Sequence, residues 1–229
     1  MADELSNLWA NLSLSEGEDG EVEVRVNEVK GIVERGQLCI IGKLLTKRLV
    51  SKESIKNLLV QWWRLKGSFT FKVLGGNLFL IEFERERDKA CVLEGRPWVS
   101  EGSLFLVEDF DGRTSPYEFT FDKASFWVRM MKLPLACMER EVGFKLGAMV
   151  GTVEEVDTEK DGIRWGGYLR VKIQVDLYKP FSRGRMLKFD GKSTLIRFKY
   201  ERLSKFCFHC EVICHGVEGC TKRNSKKKP

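Results

Sequence analysis

Long apolar runs are absent from this sequence of 229 residues, and histidine and proline are scarce, with two and five residues. A membrane-spanning helix needs roughly 18 or more consecutive apolar residues, and no run approaches that length. The first residues, Met-Ala-Asp-Glu-Leu, are acidic and lack the apolar segment of a secretory signal. These absences argue against membrane and secreted proteins and favour a nuclear or cytoplasmic location.

Catalytic signatures are missing as well. Both histidines, His209 and His215, lie in one short C-terminal segment, so none remains elsewhere as a general base. Neither a Walker phosphate loop nor a G-x-G-x-x-G fingerprint occurs in the sequence. Cys39, Cys91 and Cys137 lie in apolar or helix-boundary contexts and are expected to be inert core thiols. We therefore expect no catalytic residues and no enzyme activity.

The composition is that of a folded protein with a strong charge asymmetry. Apolar residues make up 43% and charged residues 31%. Residues 1–34 hold nine acidic and two basic residues, a net charge of −7, whereas residues 179–229 hold fourteen basic and four acidic residues, a net charge of +10. A basic region of this size is typical of proteins that bind polyanions, although it is also compatible with a merely solvated tail.

Hydrophobic periodicity predicts an α+β fold. Residues 37–110 have the order β-α-β-β-α-β, which is the ferredoxin-like arrangement that RNA-recognition motifs share. A second α+β unit with antiparallel strands follows, and a C-terminal zinc knuckle ends the fold. The predicted organisation is a disordered acidic leader (1–34), a ferredoxin-like domain (35–112), a second α+β unit (117–204), a zinc knuckle (205–221) and a basic tail (222–229).

The face that each strand presents decides whether these sheets can bind RNA. If Phe79, Ile81 and Phe83 pack under the helices, the open face of the first sheet displays Leu78, Leu80 and Glu82 rather than stacking aromatics. That sheet is then a structural or protein-binding platform. In the second unit, one predicted strand carries Arg170 and Lys172 on its polar face and another carries Arg197 and Lys199. If the two strands are neighbours, these four residues form one basic patch; otherwise they belong to an ordinary solvated face.

The most informative motif is C-x2-C-x4-H-x4-C, formed by Cys207, Cys210, His215 and Cys220. Three thiolates and one imidazole at this spacing suit a tetrahedral Zn²⁺, which would supply most of the folding free energy of so short a loop. Cys214 or His209 could replace His215 as the fourth ligand. Glu211 and Cys214 stand where typical knuckles have glycine, and a non-glycine residue adopts a positive φ only at a steric cost.

The surroundings of the motif favour nucleic-acid binding. Phe208 and Val217 occupy the apolar positions that stack on unpaired bases in knuckles of this type. Nearby basic side chains are expected to contact phosphates: Arg202, Lys205, Lys222, Arg223, Lys226, Lys227 and Lys228. The predicted partner is single-stranded nucleic acid, RNA more than DNA. The alternative is a protein-interaction module with a structural zinc knuckle.

Two further motifs join the knuckle in a family resemblance. Phe126-Trp127-Val128-Arg129 leads to Leu133-Pro134-Leu135, and Tyr200-Glu201-Arg202-Leu203 runs into Phe206-Cys207. This order resembles plant proteins derived from LINE-type retrotransposons, in which a domain of unknown function precedes a CCHC zinc knuckle. The resemblance covers about residues 35–220 and implies nucleic-acid binding, such as coating element RNA, without reverse transcriptase or endonuclease.

Overall fold

The computed structural model describes residues 21–46, 48–100, 102–213 and 220. Within these residues the chain forms two units, each built on a five-stranded antiparallel sheet. The prediction of a mixed α+β protein is confirmed. Among the helices of the described residues, none combines the length and the apolar composition that crossing a membrane requires.

The first unit follows the predicted element order with two additions, a helix before the first strand and a short strand before the last. Its elements are helix α1 (Lys30–Gly36), strand β1 (Cys39–Leu44), helix α2 (Lys52–Trp63), strands β2 (Phe69–Gly75) and β3 (Leu78–Phe83), helix α3 (Glu86–Glu94) and strands β4 (Trp98–Ser100) and β5 (Ser103–Phe110). The hydroxyl of Ser51 accepts a hydrogen bond from the Ser54 N–H and caps α2. The strands lie in the order β2-β3-β1-β5-β4.

The helices cover one face of this first sheet. Phe79, Ile81 and Phe83 pack with the buried residues of α2 and α3, so the predicted facing of β3 is confirmed. On the opposite face a smaller apolar cluster contains Cys39, Ile41, Leu78 and Phe110, and Phe119 from the linker packs on it. The face that would stack bases in an RNA-recognition motif is therefore apolar and partly covered.

The second unit has the same strand order as the first. Its elements are β6 (Lys123–Met131), α4 (Arg140–Ala148), β7 (Thr152–Asp157), β8 (Tyr168–Asp176), β9 (Gly184–Phe189) and β10 (Lys192–Tyr200). The strands lie in the order β7-β8-β6-β10-β9, which repeats the first sheet position by position. The units differ between their third and fourth strands, where the first has α3 and the second has the loop 177–183.

The buried core of the second unit lies on the predicted face of its sheet. Leu169, Val171 and Ile173 of β8 are fully buried, together with Phe126 of β6 and Ile196 of β10. Leu104 and Leu106 of the first unit and Ile213 of the knuckle segment belong to the same apolar cluster. The core of the second unit is thus completed by residues of the first unit and of the knuckle segment.

The structure differs from the sequence prediction at the leader. Residues 1–20 lie outside the described residues, but α1 (Lys30–Gly36) begins within the segment predicted to be disordered, 1–34, and runs two residues past its end. Two contacts hold α1 in place. The backbone of Gly36 lies so close to that of Gly112 that a side chain would not fit between them, and Arg35 donates to the Glu82 carboxylate at 2.6 Å. Neither contact is local in sequence, which is why periodicity missed the helix.

Candidate metal centre and nucleic-acid interface

A tight turn brings the first two predicted metal ligands together. The Glu211 N–H donates to the Cys207 carbonyl at 2.7 Å, and the Cys207 N–H donates to the Val212 carbonyl at 2.9 Å. Glu211 has a φ of 63°, the left-handed conformation that favours glycine. The sequence had indicated this strain from the absence of glycine after the second cysteine.

Three of the predicted ligands form one cluster. The Sγ atoms of Cys207, Cys210 and Cys220 all lie within 4.8 Å of one another, and the three side chains are buried. Tetrahedral zinc with Zn–S bonds of about 2.3 Å places its sulfur ligands roughly 3.8 Å apart, so the cluster has the dimensions of a metal site. Val212 completes a small apolar shell around the sulfurs. The donor set therefore fits a thiophilic divalent metal.

Backbone hydrogen bonds tune the first thiol. Burial disfavours the Cys207 thiolate, but N–H groups of Cys210 and His209 donate to it and hold its pKa below the ordinary value. At Cys210 burial dominates and raises the pKa of the thiol, and the neighbouring Cys207 adds to the increase. A bound cation would favour the thiolate form of both residues, because metal binding releases thiol protons.

The fourth ligand remains a prediction. His215, its alternative Cys214 and the stacking candidate Val217 lie outside the described residues. Within the described part of the chain, His209 is exposed and is not part of the cysteine cluster. Its backbone N–H, rather than its imidazole, contributes to the site.

The knuckle is docked against the second unit. Ile213, three residues after the ligand Cys210, is 7% exposed and packs in the core of the second unit. The Phe181 N–H donates to the Glu211 carbonyl at 3.0 Å, and Arg183 lies 3.3 Å from the Glu211 carboxylate. The loop 177–183 and the knuckle thus fasten to each other. Sequence reasoning missed this docking, for which the apolar Val212-Ile213 pair was the only local signal.

Phe208, the predicted base-stacking residue that the structure describes, is exposed. Its side chain is 80% exposed, although it directly follows the fully buried Cys207. Its ring centroid lies 5.0 Å from that of Phe206, which packs against the core of the second unit. An exposed phenyl ring supported by a second ring on a rigid turn is well suited to stack on a planar base.

The predicted phosphate contacts Arg202 and Lys205 are engaged with the first unit. Arg202 donates to the Gly95 carbonyl at 2.9 Å, and its guanidinium lies 5.9 Å from the Trp98 ring centroid. The Lys205 N–H donates to the Gly102 carbonyl at 2.8 Å. A Cβ on Gly102 would lie 2.3 Å from Lys205 Cγ, so the aliphatic stem of Lys205 packs on that turn. Both residues therefore fasten the start of the knuckle to the β4–β5 hairpin.

The basic tail lies outside the described residues. This applies to all five of its predicted phosphate contacts: Lys222, Arg223, Lys226, Lys227 and Lys228.

The predicted basic patch on the second sheet is divided by an intervening strand. β8 and β10 are not neighbours, because β6 lies between them. Arg129 of β6 is in register with Arg170 on one side and Lys199 on the other. The Glu201 carboxylate accepts from Arg129 at 2.6 Å and from Arg170 at 2.9 Å, and Arg170 lies 3.9 Å from the Trp127 ring centroid. The two central arginines therefore share one carboxylate within the protein, and Arg170 also stacks on Trp127.

The remaining cysteines agree with the expectation of inert core thiols in two of three cases. Cys39 and Cys137 are buried, and burial raises the pKa of both thiols. Cys91 is exposed on α3, contrary to the expectation. The helix buries its Asp88, Lys89 and Val92 side instead, so Cys91 falls on the outer face.

Two protein families match parts of the chain. Residues 32–118 match the domain of unknown function DUF4283, which covers the first unit. Residues 175–222 match the zinc knuckle family, and this match includes β9 and β10 as well as the cysteine cluster. The extent of the family match and the docking of the knuckle on the second unit therefore both indicate that the β9–β10 hairpin and the knuckle form one structural unit.

The chain is also similar to an uncharacterized protein of Arabidopsis thaliana. The two are 24% identical over 137 residues. The aligned region covers 59% of this chain and 43% of the relative, so the chain spans less than half of that protein's length.

Proposed function

We propose that this protein binds single-stranded nucleic acid, RNA in preference to DNA, through a zinc-loaded knuckle with Cys207, Cys210, His215 and Cys220 as ligands. The observation that carries the proposal is the position of Phe208, 80% exposed and directly after a buried cysteine of the metal cluster. The match to the zinc knuckle family supports it. Bound zinc supplies a cross-link that fixes the turn from which Phe208 projects.

Binding in this scheme has low sequence selectivity. Stacking on an aromatic ring tolerates every base, since each has a π-face, and contributes about 1–3 kcal/mol per base. The lysines of the tail add phosphate contacts that weaken with salt. No step requires a catalytic group, and a full set of four ligands leaves the metal without an open position for one. The proposed role is accordingly that of a binding protein and not of an enzyme.

The first unit has a different role in this proposal. Its strand order β2-β3-β1-β5 supports a ferredoxin-like classification. Its open face carries an apolar cluster on which Phe119 packs, so we assign it to scaffolding rather than to base stacking. An origin from a LINE-type retrotransposon and a nuclear or cytoplasmic location are part of the same proposal. They rest on the sequence resemblance and on the basic C-terminal region.

Fluorescence anisotropy with a short, G-containing single-stranded RNA tests the proposal. The full-length, metal-loaded protein is titrated at low salt, and the titration is repeated after chelation and with Phe208→Ala. Chelation should abolish most of the binding. The Phe208→Ala variant should keep its metal but bind roughly 5- to 150-fold more weakly, which corresponds to the loss of one stacking contact.

A matched control separates stacking from a general loss of aromatic surface. Phe144 on α4 is also exposed, so Phe144→Ala removes a comparable ring without touching the knuckle. It should bind as the wild type does. Affinity that survives chelation, or equal losses in the two alanine variants, would overturn the proposal. A complete absence of oligonucleotide binding at low salt would favour the protein-interaction module instead.

A further inference from the structure

An open groove lies beside the knuckle on the second unit. It has a volume of about 630 Å³ and runs along the edge formed by β9 and β10. Arg183, Arg185 and Arg197 line it, with Glu211 of the knuckle at one side. Arg185 is in register with the buried Ile196 and donates to the Met149 carbonyl, so its guanidinium lies on the helix-covered face, whereas Arg183 and Arg197 are exposed. No motif in the sequence marks this groove, because the three arginines meet only through the pairing of β9 with β10.

The arginines of the groove have spare hydrogen-bonding capacity. Arg183 is paired with Glu211 at 3.3 Å, but its side chain is 84% exposed. The Nε of Arg185 is buried without a hydrogen-bond partner, and its other contact, to the Met149 carbonyl, is long at 3.4 Å. Arg197 is exposed, and within the described residues no ion pair joins it to a carboxylate. The exposed guanidinium groups of Arg183 and Arg197 are therefore the ones open to a ligand.

The groove borders the turn that carries the proposed stacking site. Glu211 lines the groove, directly follows the ligand Cys210 and donates its N–H to the Cys207 carbonyl. Phe208 projects from the same turn. A strand with one base stacked on Phe208 therefore has the arginines as its neighbouring protein surface. Guanidinium groups form bidentate hydrogen bonds with phosphate oxygens, and such contacts carry no base preference.

We propose that this groove binds the phosphodiester backbone of the single-stranded nucleic acid whose base stacks on Phe208. The inference rests on the proposed function and adds a second contact surface to it. Glu211 limits the positive charge of the groove by pairing with Arg183, whose largely exposed guanidinium keeps further donors for a phosphate, and the exposed Arg197 supplies a second guanidinium.

The salt dependence of binding tests the groove. Full-length, metal-loaded protein is titrated with a short single-stranded RNA at several salt concentrations, with Arg183→Gln/Arg197→Gln beside the wild type. Two lost phosphate contacts should reduce the slope of log K against log salt by about 1.4, and weaken binding roughly 25-fold at about 0.1 M salt. Arg183→Lys/Arg197→Lys keeps both charges and should restore the slope. Arg197→Gln alone leaves the Glu211 ion pair intact and should reduce the slope by about half as much as the double substitution does.

A matched control removes the same charge elsewhere. Lys56 on α2 and Arg87 on α3 are exposed residues of the first unit, and Lys56→Gln/Arg87→Gln should bind with the wild-type slope. Equal slopes and affinities in the groove and control variants would overturn the proposal for the groove and leave the proposal for the stacking site unaffected. Binding that resists chelation but weakens in the groove variants supports the groove and overturns the zinc-dependent knuckle. A wild-type protein that does not bind overturns both.

Discussion

The backbone N–H of Phe181 donates a hydrogen bond to the carbonyl of Glu211 at 3.0 Å. This bond joins the loop after β8 to the residue that follows a predicted metal ligand. The loop stands where the first unit has a helix, and Ile213 fills part of the core beneath it. The knuckle is thus part of the second unit, and the stability of the two should be coupled.

Substitution at two consecutive residues measures this coupling. Ile213 packs in the core of the second unit, whereas Val212 packs against the cysteines. Ile213→Ala should lower the free energy of unfolding of the second unit by about 2–5 kcal/mol, as is usual for a large-to-small change in a core. Val212→Ala should weaken metal binding more than it destabilises the sheet. Because the two are coupled, Ile213→Ala should also weaken metal binding. Denaturant unfolding and chelator competition on both variants check this, and an Ile213→Ala variant with a destabilised sheet and an unchanged metal affinity would mean that knuckle and sheet are independent.

A glycine at position 211 should strengthen the knuckle. Glu211 has a φ of 63°, which costs a non-glycine residue about 1 kcal/mol. Glu211→Gly removes that cost and also the ion pair with Arg183, which is worth little because Arg183 is largely exposed. Glu211→Ala loses the same ion pair and keeps the strained φ. Chelator competition should show the glycine variant holding metal about five times more tightly than the alanine variant; no difference would refute the strain.

The Tyr200 hydroxyl should make stability fall in alkali. Burial raises the pKa of Tyr200 to about 12 from an ordinary value of 10.0, and its hydroxyl donates to the Ser182 carbonyl at 2.9 Å. Because the folded state holds this proton more tightly, its contribution is complete below pH 10 and is lost as the pH rises towards 12. Tyr200→Phe should flatten the fall in stability over that window. Tyr117→Phe, which removes an exposed hydroxyl that donates to the Leu74 carbonyl, is the control and should not flatten it.

Glu108 should destabilise the protein at neutral pH. Burial raises the pKa of this carboxyl; the Arg96 guanidinium 3.7 Å away partly offsets the increase, and Glu154 across the junction of the units adds to it. A carboxyl whose pKa is raised on folding makes stability fall as the pH rises through the shifted pKa. Glu108→Gln should therefore be more stable than the wild type at neutral pH and equal to it in acid, below both pKa values. Thermal unfolding of both proteins at neutral pH and in acid checks this, and a variant that is less stable than the wild type at neutral pH would contradict the prediction.

Local sequence patterns predicted most of the strands and the facing of their side chains. The alternation from Tyr168 to Asp176 placed the buried residues of β8 correctly, since one face of that strand is packed and the other is polar. β9 was missed, because Gly184–Phe189 mixes charged and apolar residues. A better signal was the Asp190-Gly191 turn that follows, in which both residues have a positive φ, as tight hairpins require.

Contacts between distant segments were beyond these patterns. The cysteine spacing predicted the cluster of Cys207, Cys210 and Cys220, because ligands of a knuckle are close in sequence. Strand order depends on the whole chain, so the placement of β6 between β8 and β10 was not foreseen. For the same reason the docking of Ile213 and the engagement of Arg202 with Gly95 emerged only from the structure.

Metal content is the most direct test of the central claim, that the C-terminal cysteines bind zinc together. Elemental analysis of full-length protein purified under reducing conditions should find about one zinc per chain, and the Cys207→Ser and Cys220→Ser variants should lose it. Cys91→Ser, at an exposed thiol outside the cluster, should keep the wild-type content. Wild-type protein that contains no zinc and takes none up on addition would contradict the account.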